Sequence, residues 1–231
     1  MKERLLLLLL TLWTAALGGC GGMLTSDQPP EHVYWLEAVN LRLDTAPTGD
    51  LPDLVVVVRA LPGLDTDRIL VKGPGARLNY YAGARWPDHL PEIVTVAVRL
   101  SLESSGRFNR VSSGSQIRGV EWSLDLELRE FFAVVTTAGA PPQVRVKLVG
   151  RVNCGFGDIA VSAATTAPAR EDKLSAIIAA FQSATDNALI SLAGQLETRC
   201  FGQQARRGRQ DHTAPTRLSW SSPFTFRRST L

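Results

Sequence analysis

The sequence is short of side chains that do chemistry. Its three histidines, His32, His89 and His212, are scattered along 231 residues, and there are only three cysteines. No Gly-x-Ser-x-Gly elbow, His-Glu-x-x-His pair or Walker loop occurs, which excludes the enzyme classes those motifs define. Gly73-Pro74-Gly75 lacks the further glycine and helix of a phosphate loop and reads as a turn. Asp65 and Asp67 are too few to argue for calcium, and Asp125 and Glu127 share a solvated strand face with Arg129. The expectation is a protein without catalytic residues, metal or cofactor, and with no nucleic-acid partner. No second hydrophobic run of spanning length follows the first seventeen residues.

What is present begins at the N-terminus. Lys2 and Arg4 form a positive n-region, Leu5 to Leu17 an apolar h-region, and Gly18 and Gly19 the small residues that a signal peptidase accepts. Leu17-Gly18-Gly19-Cys20 then resembles a lipobox, which predicts a signal peptide over 1–19 and lipidation of Cys20. The competing reading is a plain secretory signal with an incidental cysteine. Gly21 stands where an aspartate retains enterobacterial lipoproteins in the inner membrane, so the expected address is the periplasmic face of the outer membrane. Residues 20–32 are a polar tether between lipid and body.

The formal net charge is +3, unevenly spread. Six arginines (206, 207, 209, 217, 227, 228) oppose only Asp211 in residues 206–231. With few apolar residues to bury, 203–231 is expected to be a disordered basic tail. Its Trp220, Phe224 and Phe226 are weighed as partner contacts against a merely floppy terminus. With Cys20 consumed by lipid, Cys154 and Cys200 remain as an even pair in an oxidising compartment. A disulfide there would stabilise the fold by roughly 4 kcal/mol in the chain-entropy model; two buried free thiols are the alternative.

Between tether and tail, 33–202 reads as one domain. Val33–Ala38 is expected to be a first strand and 44–52 a loop. The continuous apolar run Leu54–Val58 suits a central strand covered on both faces. Ile69–Val71 and Leu78–Tyr81 bracket the glycine turn as short strands. Asp88 as N-cap, Pro91 and Glu92 in the first turn, apolar Leu90, Ile93, Ala97 and Leu100, and Gly106 as the stop predict a helix. From Val120 to Leu128 apolar residues alternate with Glu121, Ser123, Asp125 and Glu127, and Val144, Val146, Leu148 and Val152 repeat that period against Arg145, Lys147 and Arg151. Paired as a hairpin, these strands would set an acidic face beside a basic one. A strand near Ile159–Ala164 and a long helix over about Arg170–Thr198, striped by Leu174, Ile177, Phe181, Ala184, Ala188, Leu192 and Leu196, complete the domain. The predicted class is α+β: a mostly antiparallel sheet with two helices packed on one face.

One block is more distinctive. Leu78-Asn79-Tyr80-Tyr81-Ala82, then Arg85-Trp86-Pro87-Asp88-His89-Leu90-Pro91, then Ser104-Ser105-Gly106-Arg107-Phe108 with Val111, resembles the ABC-type transport auxiliary lipoproteins, the PqiC-like family. The strand Leu124–Phe131 and the lipobox fit the same pattern; the cysteine pair and arginine-rich tail do not belong to it. The resemblance implies an accessory, docking component of an MCE-type ABC lipid-transport system between inner and outer membranes. Its implied partners are an MCE-domain protein and the ABC permease and ATPase. A structural lipoprotein for envelope or secretion-machinery assembly, without lipid transport, is the other reading. Tyr80, Tyr81, Arg85 and Trp86 are the candidate partner-binding residues. For Trp86, held extended by Pro87, and for Tyr81, a structural duty is favoured over partner contact, with the Trp86 ring a plug between sheet and helix, and Tyr80 and Tyr81 should face opposite sides of their strand. Because Leu54–Val58 is apolar on both sides, its outward residue, Val56 or Val57, is expected to need cover from a partner or a second copy.

Lipidation makes a direct prediction. Radiolabelled fatty acid should enter the wild-type protein and not Cys20→Ala. Free of its leader, that variant should fractionate away from membranes, because the tail's charge is screened within about 8–10 Å at physiological salt. Label incorporation into Cys20→Ala would sink the assignment.

Overall fold

The longest strand, Trp122–Val134, organises the domain. The structure, a computed structural model, describes residues 30–41, 51–75, 77–114, 122–137, 139–204 and 206, so the leader, Cys20 and nearly all of the basic tail lie outside the described residues. The chain separates into two compact units, residues 1–32 and 33–231, and the second holds both helices and nearly all of the sheet. In chain order the elements are β1 (His32–Val33), β2 (Asp53–Ala60), β3 (Arg68–Lys72), β4 (Leu78–Arg85), α1 (Leu90–Ser104), β5 (Arg110–Ser113), β6 (Trp122–Val134), β7 (Gln143–Asn153), β8 (Asp158–Pro168) and α2 (Leu174–Leu196). A 3₁₀ turn at Pro62–Leu64 separates β2 from β3, and a π-helical turn at Glu197–Phe201 continues α2.

The class is α+β, with both helices on one face of an eight-stranded sheet. The sheet is mixed rather than mostly antiparallel. β6, β7 and β8 form the expected antiparallel meander. On its other side, β6 is paired in parallel by two strands in succession: β2 lies along Trp122–Leu128, and β3 along Ala133–Val134. The 3₁₀ turn bridges the gap, with Leu61 N–H donating to Leu128 O (3.2 Å). β5 pairs in parallel with the outer side of β2. β2 is thus parallel to both neighbours, the setting in which a continuous apolar run is expected.

Side chains sort by the pleat. Leu54, Val56 and Val58 point to the helices with Leu124, Leu126, Leu128, Val144, Val146 and Leu148, and all are buried. Burying each such side chain contributes about 1.5–3 kcal/mol. Val56 is therefore the inward residue and Val57 the outward one, half-buried beside Asp125. The outer face carries the anticipated charge pairing, with Asp125 opposite Arg151 and Glu130 opposite Lys147. β6 runs past Leu128 because a bulge between Leu128 and Glu130 resets its phase and brings Phe131 inward.

The helices depart from expectation in detail. In α2 the predicted stripe is buried from Ile177 to Leu196, with Leu174 half-buried at its start. This helix is long and apolar enough to span a membrane, yet it packs as a core helix on β7 and β8. In α1 the buried stripe is Leu90, Ile93, Val94, Ala97, Val98, Ser101 and Leu102, while Leu100 lies on the solvent side. His89, not Asp88, stands at the N-cap position; Asp88 Oδ1 instead accepts the His89 N–H (2.7 Å). Ser101 is a polar residue in a core position because its hydroxyl accepts the Val39 N–H (3.0 Å). That bond belongs to a second departure. Of the predicted first strand, Val33–Ala38, only Val33 is β, in a two-residue strand with His32, and the following chain runs against the helices. Glu37 exchanges backbone bonds with the Gln182 amide (2.9 Å each), and Leu41 N–H donates to Ser104 Oγ (2.9 Å).

The middle of the β8 edge is capped in a similar way. The Gln195 side-chain amide accepts from Ser162 N–H (3.2 Å) and donates to Ser162 O (2.7 Å), taking the place of a neighbouring strand, and Arg199 donates to Ala160 O.

β6 and β7 approach unusually closely where Leu126 faces Gly150: a Cβ at Gly150 would lie 1.9 Å from the Asp125 carbonyl oxygen. Gly150→Ala should force the central ladder apart and lower stability by about 1–3 kcal/mol. Gly194→Ala, on the exposed side of α2 with no atom within 4 Å of its Cβ, should be neutral or stabilising by up to about 1 kcal/mol. Urea midpoints measure both; equal midpoints for the two variants would contradict the packing.

Candidate functional site

The distinctive block spans α1 from the strand before it to the strand after it, and its residues divide by the side they face. At the entry, Trp86 is 0% exposed. Its ring meets Phe131 of β6 edge-on (centroids 5.9 Å) and Phe181 of α2 edge-on (5.5 Å), while the two phenyl rings stack at 5.0 Å. Trp86 N–H donates to Asp67 O (2.7 Å) and Leu90 N–H to Thr66 O (3.1 Å), so the 65–67 loop fixes the start of α1. Trp86 therefore has no surface to offer a partner, which removes it from the candidate binding residues. The geometry explains why: Pro87 holds the residue extended, and the ring fills the wedge between sheet and α2. Arg85 Nη1 donates to Trp86 O (3.3 Å) and lies 3.7 Å from Asp67 Oδ2, bracing the same step. His89 Nδ1 lies 2.8 Å from Asp65 Oδ1, and that hydrogen bond raises the imidazole pKa.

The two tyrosines point to opposite sides. Tyr81 is half-buried on the helix side; burial raises its phenol pKa and the charge of Asp172 adds to the shift. Tyr80 is 58% exposed on the outer side, with the Arg68 guanidinium 5.3 Å from its ring centroid. Leu78 is exposed beside it, and Val33 and Trp35 are exposed near the domain's start. Sequence reading missed Leu78, Trp35 and Arg68. The available signal was the period of two, which puts Leu78 on the same side of its strand as Tyr80.

At the exit, Gly106 takes a positive φ of 66° and turns the chain out of α1. Arg107 is buried and its Nη2 pairs with Glu197 Oε1 in the π turn (2.5 Å). Phe108 meets Trp122 (5.9 Å) and Phe201 (5.6 Å), and Trp122 lies 4.8 Å from Phe201. In the same place Cys154 and Cys200 are brought into bonding contact, with Cα atoms 5.7 Å apart and both side chains buried. Sequence spacing anticipates the cysteine pair of this knot but not its Arg107–Glu197 bond, whose members lie 90 residues apart. Two crevices under the helices, one bordered by Val98, Leu102, Leu124 and Leu192, the other by Arg107, Phe108, Glu197 and Phe201, hold no more than about 10 Å³. That is room for about one water, not for an acyl chain. Among the described residues no group of three or more histidine, cysteine or acidic side chains is placed to hold a metal.

The model of the ABC-type transport auxiliary lipoprotein component family matches residues 40–193. The chain belongs to this family. Among solved structures, protein XCC0632 from Xanthomonas campestris, described as a DUF330 protein, superposes with a TM-score of 0.61 at 22% identity, covering 76% of this chain and 99% of that one. An uncharacterised protein superposes with a TM-score of 0.54 at 11% identity, over 73% and 99%. Both likenesses concern the fold. No curated protein matches. Within the auxiliary lipoprotein, then, the Arg-Trp and Ser-Gly-Arg-Phe signatures secure the two ends of α1, and Tyr80 is the outward-facing member of the block.

The exit knot yields a prediction. Thiol counting on the denatured, unreduced mature protein should find neither Cys154 nor Cys200 free, and reduction should release two thiols and lower the melting temperature. Two free thiols in periplasmically produced protein would refute the bond.

Proposed function

We propose that this auxiliary lipoprotein is a non-enzymatic docking component of an MCE-type ABC lipid-transport system, anchored through Cys20 at the periplasmic face of the outer membrane. The observation that carries the reading is the family match over most of the domain. The structure supports docking over carriage. Both helices cover one face of the sheet, and among the described residues the two crevices beneath them are too small for lipid. On the other face no described helix covers Val57, Phe132 and Val149, which are half-buried among the paired charges. Such a mixed apolar and charged surface suits a reversible protein interface. The permease, ATPase and MCE protein perform transport and energy coupling, and this chain contributes a fixed attachment.

The test is capture. The mature lipoprotein should retain a co-expressed MCE-domain protein on an affinity resin, and Val57→Glu should weaken capture at least tenfold while leaving the circular dichroism spectrum unchanged. A strictly monomeric domain that retains no MCE-type protein would count decisively against the docking role.

A further inference from the structure

The outer face of the sheet changes character along its strands. Around the first half of β6 its charges come in pairs: Arg59 with Asp125, Arg129 with Glu127 and Arg151 with Asp158. At the other end the register lays two rows across four strands. Tyr80 of β4 is opposite Leu70 of β3, and Phe132 of β6 is opposite Arg145 of β7. In the next row Leu78 is opposite Lys72, Lys72 lies beside Val134, and Val134 is opposite Gln143. Ala133 and its partner Val71 face the helices, so by the pleat both rows point outward. Leu78 and Tyr80 are exposed, Phe132 and Val134 half-buried, and Leu70 is buried among them. Lys72, Arg77 and Arg145 are exposed around this apolar floor, and no ion pair of the described residues engages them. Residues 68–85 and 131–157 contain no acidic residue. The bordering carboxylates are engaged elsewhere: Glu130 stands opposite Lys147, Asp67 lies beside Arg68 and Arg85, and Asp172 acts on Tyr81, on the helix side.

Two features identify what covers this end. Its free charge has one sign, which calls for an anionic surface, and its centre is apolar with a tyrosine, which calls for a surface that also accepts hydrocarbon. A second copy laid on it would bring like charges together. A bilayer containing anionic phospholipid meets both demands: it attracts each cation near the surface by about 1 kcal/mol, and tyrosine favours the boundary between headgroups and acyl chains. The chain also enters the domain on this flank. Tyr34 N–H donates to Arg85 O at the end of β4 (3.0 Å), and Val33 follows Cys20 by thirteen residues, a reach of at most about 45 Å. We propose that the end of the outer face bearing Lys72, Arg77 and Arg145 rests on the anionic phospholipid surface that holds the lipid anchor. Leu78 and Tyr80 enter the headgroup layer there, and Val57 and Val149, at the other end, stay open to the docked protein. The inference rests on lipidation of Cys20 and goes beyond the docking role by fixing how the domain lies on its membrane.

The test places the fluorophore NBD on one introduced cysteine of the full mature lipoprotein. Leu78→Cys reports on the proposed contact, and Ala160→Cys, across from Arg151 on the outer face, reports on the other end. Each protein is inserted into preformed vesicles of phosphatidylcholine, alone or with about one third phosphatidylglycerol, floated, and exposed to dithionite, which does not cross the bilayer. On the anionic vesicles the Leu78 label should emit at shorter wavelength and be reduced about tenfold more slowly than on neutral ones. The Ala160 label should behave alike on both. The triple variant K72E/R77E/R145E replaces only exposed residues and should abolish the protection with an unchanged circular dichroism spectrum. The arginines of 206–231 remain in every variant, so they cannot account for the difference. Equal reduction of the Leu78 label on both vesicles would overturn the proposal and leave this surface to an acidic protein. Equal protection at Ala160, or protection that survives the triple variant, would overturn it as well. Failure to float would remove the anchor and this contact with it, whereas flotation with an unprotected Leu78 label would remove the contact alone.

Discussion

The fold depends first on one aromatic junction. Trp86, Phe131 and Phe181 come from the strand–helix step, from the central strand and from the long helix, and their rings meet at 5.0–5.9 Å. Each ring buries a large apolar area, and edge-to-face geometry adds about 0.5–1.5 kcal/mol per pair beyond that. The junction also has a cost, because the indole N–H is buried without a hydrogen-bond partner, a loss of about 1–3 kcal/mol. That a tryptophan stands there regardless indicates how strongly the site is specified by shape. With the ring in place the start of α1 can lie only where the 65–67 loop receives it, and α1 then covers β2 and β5.

The second constraint lies at the other end of the same helix. Gly106 releases the chain, Arg107 reaches Glu197, and Phe108 packs with Trp122 and Phe201. α1 is therefore pinned at both ends to α2, once near its start at Phe181 and once beyond its end at Glu197. The π turn widens the helix where Cys200 must turn toward Cys154, and the two cysteines meet beneath the aromatic rings. Residues that look like a family signature in sequence are in large part the hardware that keeps two helices on the same side of the sheet.

Periodicity made much of this legible. The stripe of α2, the alternation of β6 and β7, the glycine that ends α1 and the opposed directions of Tyr80 and Tyr81 all follow from local spacing, and the structure agrees with them. What failed was what depends on remote partners. Parallel pairing of β2 with β5 and β6 left one local trace, the continuous apolar run Leu54–Val58, but that run does not say which strands are its neighbours. Val33–Ala38 alternates like a strand, but beyond Tyr34, whose N–H still reaches Arg85 O, the backbone turns to side chains of the helices: Glu37 to Gln182, Val39 to Ser101 and Leu41 to Ser104. Leu100 fits the spacing by type, yet the core takes Ser101 because Val39 N–H needs an acceptor. The phase change at the β6 bulge likewise ended the readable alternation six residues before the strand itself ends. The candidate site was legible only in part: Tyr80 was visible as an outward tyrosine, whereas Trp86 drew attention for a motif whose duty is internal.

The amide clamp of Gln195 on Ser162 bears on how such molecules behave when crowded. An open β-edge at both ends of a sheet makes a protein divalent, able to polymerise through its own backbone in either direction. Here one terminus is occupied by a side chain that satisfies the donor and the acceptor a newcomer would seek. A strand seeking to pair along the middle of β8 must first displace Gln195 from Ser162. A two-atom contact from a helix thereby guards the edge against growth at that point.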